Sequence, residues 1–315
     1  MALSPSDRLT TRRPTSFAAA PGEAHPPVAT FSIAAHDPDT GDLGIAVASK
    51  FLAVGAYVPT ALAGVGAVAS QAHVNTTYGQ RALAMLAEGA TPDDCLQAFG
   101  ADDEGIDVRQ FGIVSADGAS VSFTGSECHA WAGGVAGPGF AAQGNILAGP
   151  EVVAALVRVF RRDDLAFPER LVAALEAADE AGGDRRGRQS AALLVVGEGK
   201  GYAGLTDHWI DLRVDDHPMP IPELGRLLEL HRLFLDKPSL PPRPLDEADI
   251  RWLQDVLRQT GHLERPSTGV WDDDTEHALE GLFGVENLEE RWLTGPRVDP
   301  VAWEHLQRIL GGKTR

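Results

Sequence analysis

The sequence predicts an α+β protein, with antiparallel sheets covered by segregated helices, followed by a small all-α domain. Runs of apolar and small residues indicate strands, and these runs come in groups separated by pairs of helical patterns. The single strand–helix alternation with GxGxxG that marks a Rossmann domain does not occur. Late in the chain, "LDKPSLPPRPLDEAD" (235–249) holds four prolines and separates these runs from a helical remainder.

Turn residues delimit the strands of the first domain. "TFSIAAHD" and "LGIAVAS" flank a turn at residues 38–41, and "RQFGIVSADGASVSFTG" (109–125) is a hairpin with Asp117 and Gly118 at its tip. "AGVGAVASQAHV" (63–74) is a third, glycine-rich strand. Buried strands are also predicted at 190–199 and 208–216.

Helical spacing of apolar residues fills the intervals between the strands. It predicts helices at 77–88, 92–99, 150–161, 167–181 and 222–236. Thr91 as cap and Pro92 at the first position begin the second of them.

The chain therefore divides into four segments. Residues 1–29 are rich in Ser, Thr, Pro, Ala and Arg without periodicity and predict a disordered leader. Residues 30–236 form the main domain, 237–245 a Pro-rich linker, and 246–315 a small helical domain whose core we expect to include Trp271, Trp292 and Trp303.

Composition excludes several function classes. The formal net charge of -18 and the lack of a basic stripe argue against nucleic acid as a partner. Two cysteines and no CxxC or HExxH spacing predict no disulfide scaffold, no metal and no other cofactor. No apolar run suits a signal peptide or a membrane span, so we expect a cytoplasmic protein without membrane contact.

Thr30 opens the first strand of the main domain. A threonine hydroxyl needs an adjacent base to act as a nucleophile, and cleavage before Thr30 would supply one in its own α-amino group. That group has an ordinary pKa of about 7.7–8.0, which suits proton transfer near neutral pH. The alternative is that Thr30 only favours strand geometry.

Several segments resemble one family, in order along residues 30–220. They are "TFSIAAHDPDTGDLGIAVASKF", "GVGAVASQAHVNTTYG", "FTGSECHAWAG", "QGNILAGPEVV" and "GGDRRGRQSAALLVV". They are similar to the domain of unknown function 1028 family, whose members are regarded as relatives of the N-terminal-nucleophile hydrolases. The resemblance implies a four-layer αββα sandwich, amide-bond hydrolysis of a small-molecule substrate, and assembly into homo-oligomers.

Thr30 matches the first-strand threonine of this family, which in many members directly follows the initiator Met. Here Ala29 and a long leader precede it, so removal of Met cannot expose Thr30. Self-cleavage, trimming by a protease or a different start would each expose it. If Thr30 stays blocked, the protein is not a threonine hydrolase.

Further candidates follow from position. Lys50, at the end of the second strand, could lower the pKa of the nucleophile or hold a substrate carboxylate, and Ser49 could hydrogen-bond the amino terminus. Asn75, before a helix, and Asn145, beside Gly144, are candidate oxyanion donors. Asn75 could instead be a residue of the helix cap.

"GDRRGRQS" supplies the remaining candidates. Ser190 matches a serine that supports the threonine amine in proteasome-like relatives. Asp184 and Arg186 are substrate-binding candidates, and either Arg186 or Arg188 could bind an anionic group of the substrate. Cys128 is a rival nucleophile, but its neighbour His129 would point to the opposite face of a strand.

The segment 250–284 resembles peptidoglycan-binding modules through Leu253–Gln254, Gly261 and "TGVWDDDT". It predicts two amphipathic helices, the second capped by one of the aspartates at 272–274. Without a signal peptide we expect a packing or oligomerisation role rather than peptidoglycan contact.

Two functions remain in competition. One is hydrolysis of a small non-peptidyl amide or related C–N bond by Thr30, and the other is a catalytically inactive sandwich that acts as a binding or scaffold protein.

Overall fold

The computed structural model describes residues 8–11 and 30–311, which separate into one compact unit ending at Leu228 and another beginning at Glu229. The first unit contains helices and antiparallel sheets, and the second is mainly helical. This confirms the predicted combination of an α+β domain with a C-terminal helical domain. The predicted leader lies outside the described residues, except for a short strand at 8–11 where the sequence predicts disorder.

Eleven strands and four helices of the described chain belong to the N-terminal unit, and a fifth helix begins in it and ends in the C-terminal unit. The strands are β1 (Arg8–Thr11), β2 (Thr30–His36), β3 (Leu43–Ser49), β4 (Pro59–Leu62), β5 (Gly66–Ala72), β6 (Arg109–Ser115), β7 (Ser120–Thr124), β8 (Gly133–Gly137), β9 (Phe140–Asn145), β10 (Ser190–Val196) and β11 (His208–Val214). The helices are α1 (Tyr78–Ala87), α2 (Pro92–Asp102), α3 (Pro150–Phe160), α4 (Phe167–Glu180) and α5 (Pro220–Phe234).

The strands form two antiparallel sheets. The larger has the order β1-β8-β9-β2-β3-β10-β11, and the smaller has the order β4-β5-β6-β7. Strand β2 lies at the centre of the larger sheet, between β3 and β9. Its first residue therefore has a neighbour on both sides.

Alternate residues of β2 pack into different cores. Phe31 and Ile33 join the side chains of α3 and α4, such as Leu156 and Leu171, on one face of the larger sheet. Ala34 lies on the opposite face with Ala67 and other small or apolar residues of both sheets. Thr30 and Ser32, in alternation with these, are therefore directed between the two sheets.

The outer face of the smaller sheet has its own helical cover. Phe111 and Ile113 of β6 pack against Tyr78 of α1 and Phe99 of α2. The rings of Tyr78 and Phe99 stack with centroids 4.1 Å apart. Helices α1 and α2 thus bury the apolar side chains on this face of β6.

Short-range sequence signals predict several element boundaries. Thr91 and Asp94 form a reciprocal capping box with Pro92 in the first turn of α2. Gly118 adopts φ +82° in the β6–β7 turn, where a residue with a side chain would be strained. These features agree with the prediction.

Strands β4, β8 and β9 were not predicted. "GGVAG" and "FAAQGN", the sequences of β8 and β9, contain only one β-branched residue, Val135, of the kind that favours strands. All residues of both strands are buried, and they extend the sheet from β2. Burial between layers favours small residues here, which local propensity does not reveal.

The C-terminal unit has helices α6 (Glu247–Gln259), α7 (Asp273–Val285) and α8 (Pro300–Leu310), and a two-residue pairing of β12 (Arg243–Pro244) with β13 (Arg297–Val298). Trp303 is buried in its core, and Trp271 and Trp292 pack against that core, as the sequence predicts. Asp272 caps α7 by accepting a hydrogen bond from the Thr275 amide.

The glutamine of the Leu253–Gln254 pair, which the helical domain shares with the modules it resembles, has a structural role. Its Oε1 accepts hydrogen bonds from the amides of Thr268 and Gly269, and its Nε2 donates to the Val270 carbonyl and the Thr275 hydroxyl. The side chain is fully buried. Gln254 therefore holds the loop between α6 and α7.

The division between the units falls within α5, not in the Pro-rich segment where the sequence places it. Leu224 and Leu228 belong to the core of the first unit. Leu233 and Phe234, at the end of the helix, pack in the core of the second unit. Across the described parts of the chain, every helix falls short of the length or apolar character needed to cross a membrane.

Candidate active site at the start of strand β2

A row of four polar residues crosses the larger sheet at the beginning of β2. Thr30 lies opposite Asn145 of β9 on one side and Ser49 of β3 on the other, and Ser49 lies opposite Ser190 of β10. Directly opposed residues of antiparallel strands share one face. The register therefore aligns four candidate residues from four different strands, all of them buried.

The Thr30 hydroxyl donates a hydrogen bond to Ser49 Oγ at 3.2 Å. The Thr30 carbonyl accepts one from Gln71 Nε2 at 3.3 Å. Gly144, beside Asn145, lets the strands approach, since a Cβ there would lie 3.0 Å from the Thr30 carbonyl oxygen and 2.4 Å from Leu147 Cδ1.

Two glutamines that the sequence analysis missed face this row from the smaller sheet. Gln71 and Gln110 are opposed on β5 and β6, and both are fully buried. Gln110 Oε1 accepts hydrogen bonds from Gln71 Nε2 at 2.8 Å and from Asn145 Nδ2 at 2.9 Å. Gln110 Nε2 donates to the Gly144 carbonyl at 2.8 Å, so one amide fixes the orientation of Asn145 and of its strand.

The amide network continues along β2. The Ser32 hydroxyl donates to Gln71 Oε1 at 2.6 Å and accepts from Gln143 Nε2 at 2.8 Å. The only sequence signal was a glutamine inside strands of small and apolar residues, "GAVASQA" and "RQFGIVS". A polar side chain in a buried strand requires a hydrogen-bond partner, and that requirement could have identified both glutamines.

Asn75 has contacts of a different kind. Its Oδ1 accepts hydrogen bonds from the Thr77 amide and hydroxyl, at 3.1 and 2.7 Å, just before α1. Its Nδ2 lies 3.4 Å from Asp103 Oδ2. The side-chain contacts that the structure gives for Asn75 thus fit the helix-cap alternative and not an oxyanion donor beside Thr30.

Ser190 belongs to the row, but its hydroxyl holds the segment that follows β3. It donates to the Phe51 carbonyl at 2.5 Å and accepts from the Val54 amide at 3.1 Å. These contacts make Ser190 a positioning residue for the chain beyond Lys50. A direct role at the threonine amine stays a prediction.

Lys50, Asp184 and Arg186 meet beyond the end of β3. Asp184 Oδ2 accepts a hydrogen bond from the Lys50 backbone amide at 2.8 Å and pairs with Arg186 Nη2 at 3.1 Å. The Lys50 side chain is exposed, and its Nζ donates to the Arg188 carbonyl at 3.3 Å. Lys50 follows Ser49 directly, so its side chain leaves the face of the Thr30 hydroxyl, which favours the substrate-carboxylate alternative over an effect on the nucleophile. Both roles stay predictions.

Cys128 is unsuited to nucleophilic attack. Burial raises the pKa of its thiol to about 12, so the thiol stays protonated near neutral pH. Its Sγ lies 3.2 Å from the Arg109 carbonyl oxygen. The rival nucleophile therefore loses its chemical basis.

Asp103, near Asn75, is the acid most strongly perturbed around this end of the unit. Burial opposes its ionisation, but hydrogen bonds from Tyr78, Arg109 and Gly105 prevail and lower its pKa to about 2. The charged form is thus favoured in the folded state. Its stabilising contribution is complete above the ordinary pKa near 4 and is lost as the pH falls through 2.

The Asp103→Asn variant should lower the free energy of unfolding by about 2 kcal/mol at pH 7 and by about half as much at pH 3. Urea unfolding followed by circular dichroism at both pH values measures the difference. Asp102→Asn removes a neighbouring carboxylate whose side chain is 59% exposed, and should cost under about 0.5 kcal/mol. An equal loss of stability in Asp103→Asn at both pH values would contradict the lowered pKa of Asp103.

Comparison with known proteins decides the family. The family described as "Family of unknown function (DUF1028)" matches residues 30–224, well over half of the chain. The chain belongs to the DUF1028 family. The C-terminal unit contains a second match, to "Putative peptidoglycan binding domain", over residues 234–306.

A solved DUF1028 structure supports the same assignment. The crystal structure of protein SPO2555 from Silicibacter pomeroyi is 36% identical to this chain, with a TM-score of 0.59. The alignment covers 65% of this chain and 89% of that one. No curated protein matches the chain.

Proposed function

We propose that the DUF1028 unit is an N-terminal-nucleophile hydrolase that cleaves a small, non-peptidyl amide or related C–N bond. The observation that carries this proposal is the cross-strand row of Thr30, Ser49 and Asn145 at the first residue of a central strand. A nucleophile, a hydrogen-bond acceptor for its hydroxyl and an amide donor are thereby adjacent.

The packing of the N-terminal unit supports the finer fold assignment. Helices α3 and α4 pack on the larger sheet, the two sheets pack on each other, and α1 and α2 pack on the smaller sheet. This order agrees with the αββα sandwich that the family resemblance implies. We include that sandwich in the proposal.

Cleavage of the Ala29–Thr30 bond, which involves a residue outside the described part of the chain, would free the Thr30 amino group. That group accepts the hydroxyl proton while Oγ1 attacks the substrate carbonyl carbon. Asn145 Nδ2, oriented by Gln110, donates a hydrogen bond to the oxyanion that forms.

Collapse of this intermediate breaks the C–N bond. The protonated amino group gives its proton to the departing nitrogen, which leaves an acyl ester on Thr30. A water molecule, deprotonated by the same amino group, then attacks the ester carbonyl. The carboxylic acid departs and the hydroxyl is restored.

Intact mass tests the first requirement. Loss of the 29-residue leader from the 315-residue, 33.4 kDa chain would remove about 3 kDa. We expect this loss in purified wild-type protein and in Thr30→Ser, which keeps a hydroxyl. Thr30→Ala should release no amine from a panel of small amides, and it should retain the full mass where Thr30 itself cleaves the Ala29–Thr30 bond.

A full-length mass in protein that hydrolyses amides would overturn the threonine mechanism. Full-length mass without any hydrolysis would favour the inactive binding or scaffold protein instead. The burial of the Thr30 side chain supports this second function, because a threonine that does not react with a substrate can be fully buried. Homo-oligomer formation and a cytoplasmic location stay predictions.

A further inference from the structure

Three basic side chains lie beyond the ends of the strands that flank Thr30. They are Lys50, Arg185 and Arg186, and all three are exposed. The chain as a whole has a formal net charge of -18, which repels small anions. A local group of cations beside the proposed nucleophile therefore changes which ligands can approach it.

Backbone contacts connect this group to both sides of Thr30. Ser49 and Asn145 are the cross-strand partners of Thr30, and the residues that follow them are Lys50 and Ile146. The Lys50 amide donates to Asp184 Oδ2 at 2.8 Å. The Arg185 amide donates to the Ile146 carbonyl at 3.1 Å.

The segment 184–186 thus spans the ends of β3 and β9, the two neighbours of β2. An isolated bridge between Leu147 and Asp184 strengthens the attachment to the β9 side. Because β2 lies between these strands and begins at Thr30, the segment passes the end of the sheet where the nucleophile lies. Arg185 and Arg186 therefore lie at the end of the sheet at which β2 begins with Thr30.

The guanidinium groups are held in place. Arg186 places Nε at 3.3 Å from Asp184 Oδ1 and Nη2 at 3.1 Å from Oδ2, and that carboxylate is buried. Arg185 Nη1 donates to the Ala130 carbonyl at 3.3 Å. An oriented guanidinium loses little conformational freedom when it binds a carboxylate, which it matches in planar geometry.

Arg188 provides the contrast within the same segment. Its Nε lies 2.8 Å from both carboxylate oxygens of Asp179, and the pairing raises the pKa of the guanidinium. It points to the end of α4 rather than to the row. Its position, and not the presence of an acidic partner, separates it from Arg186, which is paired with Asp184.

We propose that Lys50, Arg185 and Arg186 bind a carboxylate of the substrate, so that the Thr30 site takes small amides carrying a carboxylate near the bond to be cleaved. This inference rests on the proposed function for the identity of the site as catalytic. The binding of a carboxylate can be measured without any hydrolysis.

The test is titration of the full chain with succinate, and with neutral succinamide as the matched probe, followed by calorimetry at constant ionic strength. We expect saturable binding of succinate and much weaker binding of succinamide. Arg186→Gln and Arg185→Gln should each weaken succinate binding about tenfold or more, and Lys50→Gln should weaken it less. Arg188→Gln and Arg213→Gln, whose arginines are paired with Asp179 and Asp211, are controls that should keep the wild-type affinity.

Circular dichroism verifies that each variant is folded, and Arg185→Gln leaves the Arg186–Asp184 pair intact if Arg186→Gln does not fold. No succinate binding to wild type, or equal binding by all variants, would overturn the inference. Intact mass of the same samples reports separately on the proposed function. Binding without leader loss would reject the hydrolase and keep the anion site, whereas leader loss without binding would do the reverse.

Discussion

Replacement of Arg291 by Met is expected to lower the free energy of unfolding of the C-terminal unit by about 3–5 kcal/mol. Arg291 Nη1 donates to Asp299 Oδ1 at 2.9 Å, and the two side chains are 5% and 0% exposed. Its Nε donates to the Leu233 carbonyl at 2.6 Å. The variant would leave a buried carboxylate without its counter-charge and a helix-end carbonyl without a donor.

Urea unfolding followed by tryptophan fluorescence measures this loss, since Trp252, Trp271, Trp292 and Trp303, four of the six tryptophans, lie in this unit. Addition of Asp299→Asn should recover part of the stability, because asparagine removes the stranded charge and still caps α8. Arg308→Met on exposed α8 surface is the matched control and should cost under about 0.5 kcal/mol. A lower free energy of unfolding for the Arg291→Met, Asp299→Asn double variant than for Arg291→Met alone would contradict the charge argument.

Replacement of Gln110 by Leu should destabilise the N-terminal unit by about 3–6 kcal/mol. The substitution keeps roughly the same volume but deprives Asn145 Nδ2 and the Gly144 carbonyl of their partner, and each unpaired buried group costs about 1–3 kcal/mol. It also removes the acceptor of one hydrogen bond from Gln71. Chemical unfolding followed by far-ultraviolet circular dichroism gives the difference.

Gln97→Leu provides the matched control on the exposed side of α2 and should be nearly neutral. If Gln110→Leu proved as mild as Gln97→Leu, the amide network would not be a stabilising element. If it folded but no longer released the leader, the orientation of Asn145 would be the affected property. That second result would support Asn145 as the oxyanion donor.

Local chemistry made parts of the fold predictable. Thr91 with Pro92, and Asp117 with Gly118, mark a helix start and a hairpin tip through short-range backbone requirements. The "GGVAG" strand has no such local signal, because its stability comes from burial within the sheet. Helix α5 has an amphipathic pattern, but no pattern indicates that its two ends belong to different cores.

The sequence was sufficient to predict which residues belong to the candidate site, but not how they are arranged. Thr30, Ser49 and Asn145 could be chosen individually, while their alignment depends on strand register between distant segments. Asn75 was ambiguous in the sequence between a cap and a catalytic donor, and its observed contacts fit the cap. Gln110 acts through long-range contacts with another sheet, which no local pattern specifies.

The sharing of α5 between two cores has a consequence for how this gene product can be divided. A fragment cut at the prolines and starting at Leu245 would lack Leu233 and Phe234, which belong to the second core, and the carbonyl that Arg291 binds. The isolated fragment would have an unfilled hydrophobic site, and Arg291 would keep its ion pair with Asp299 but lose the acceptor of its Nε hydrogen bond. Its modular boundary is the middle of a helix, so recombination or engineering that treats the prolines as a hinge would transplant an incomplete domain.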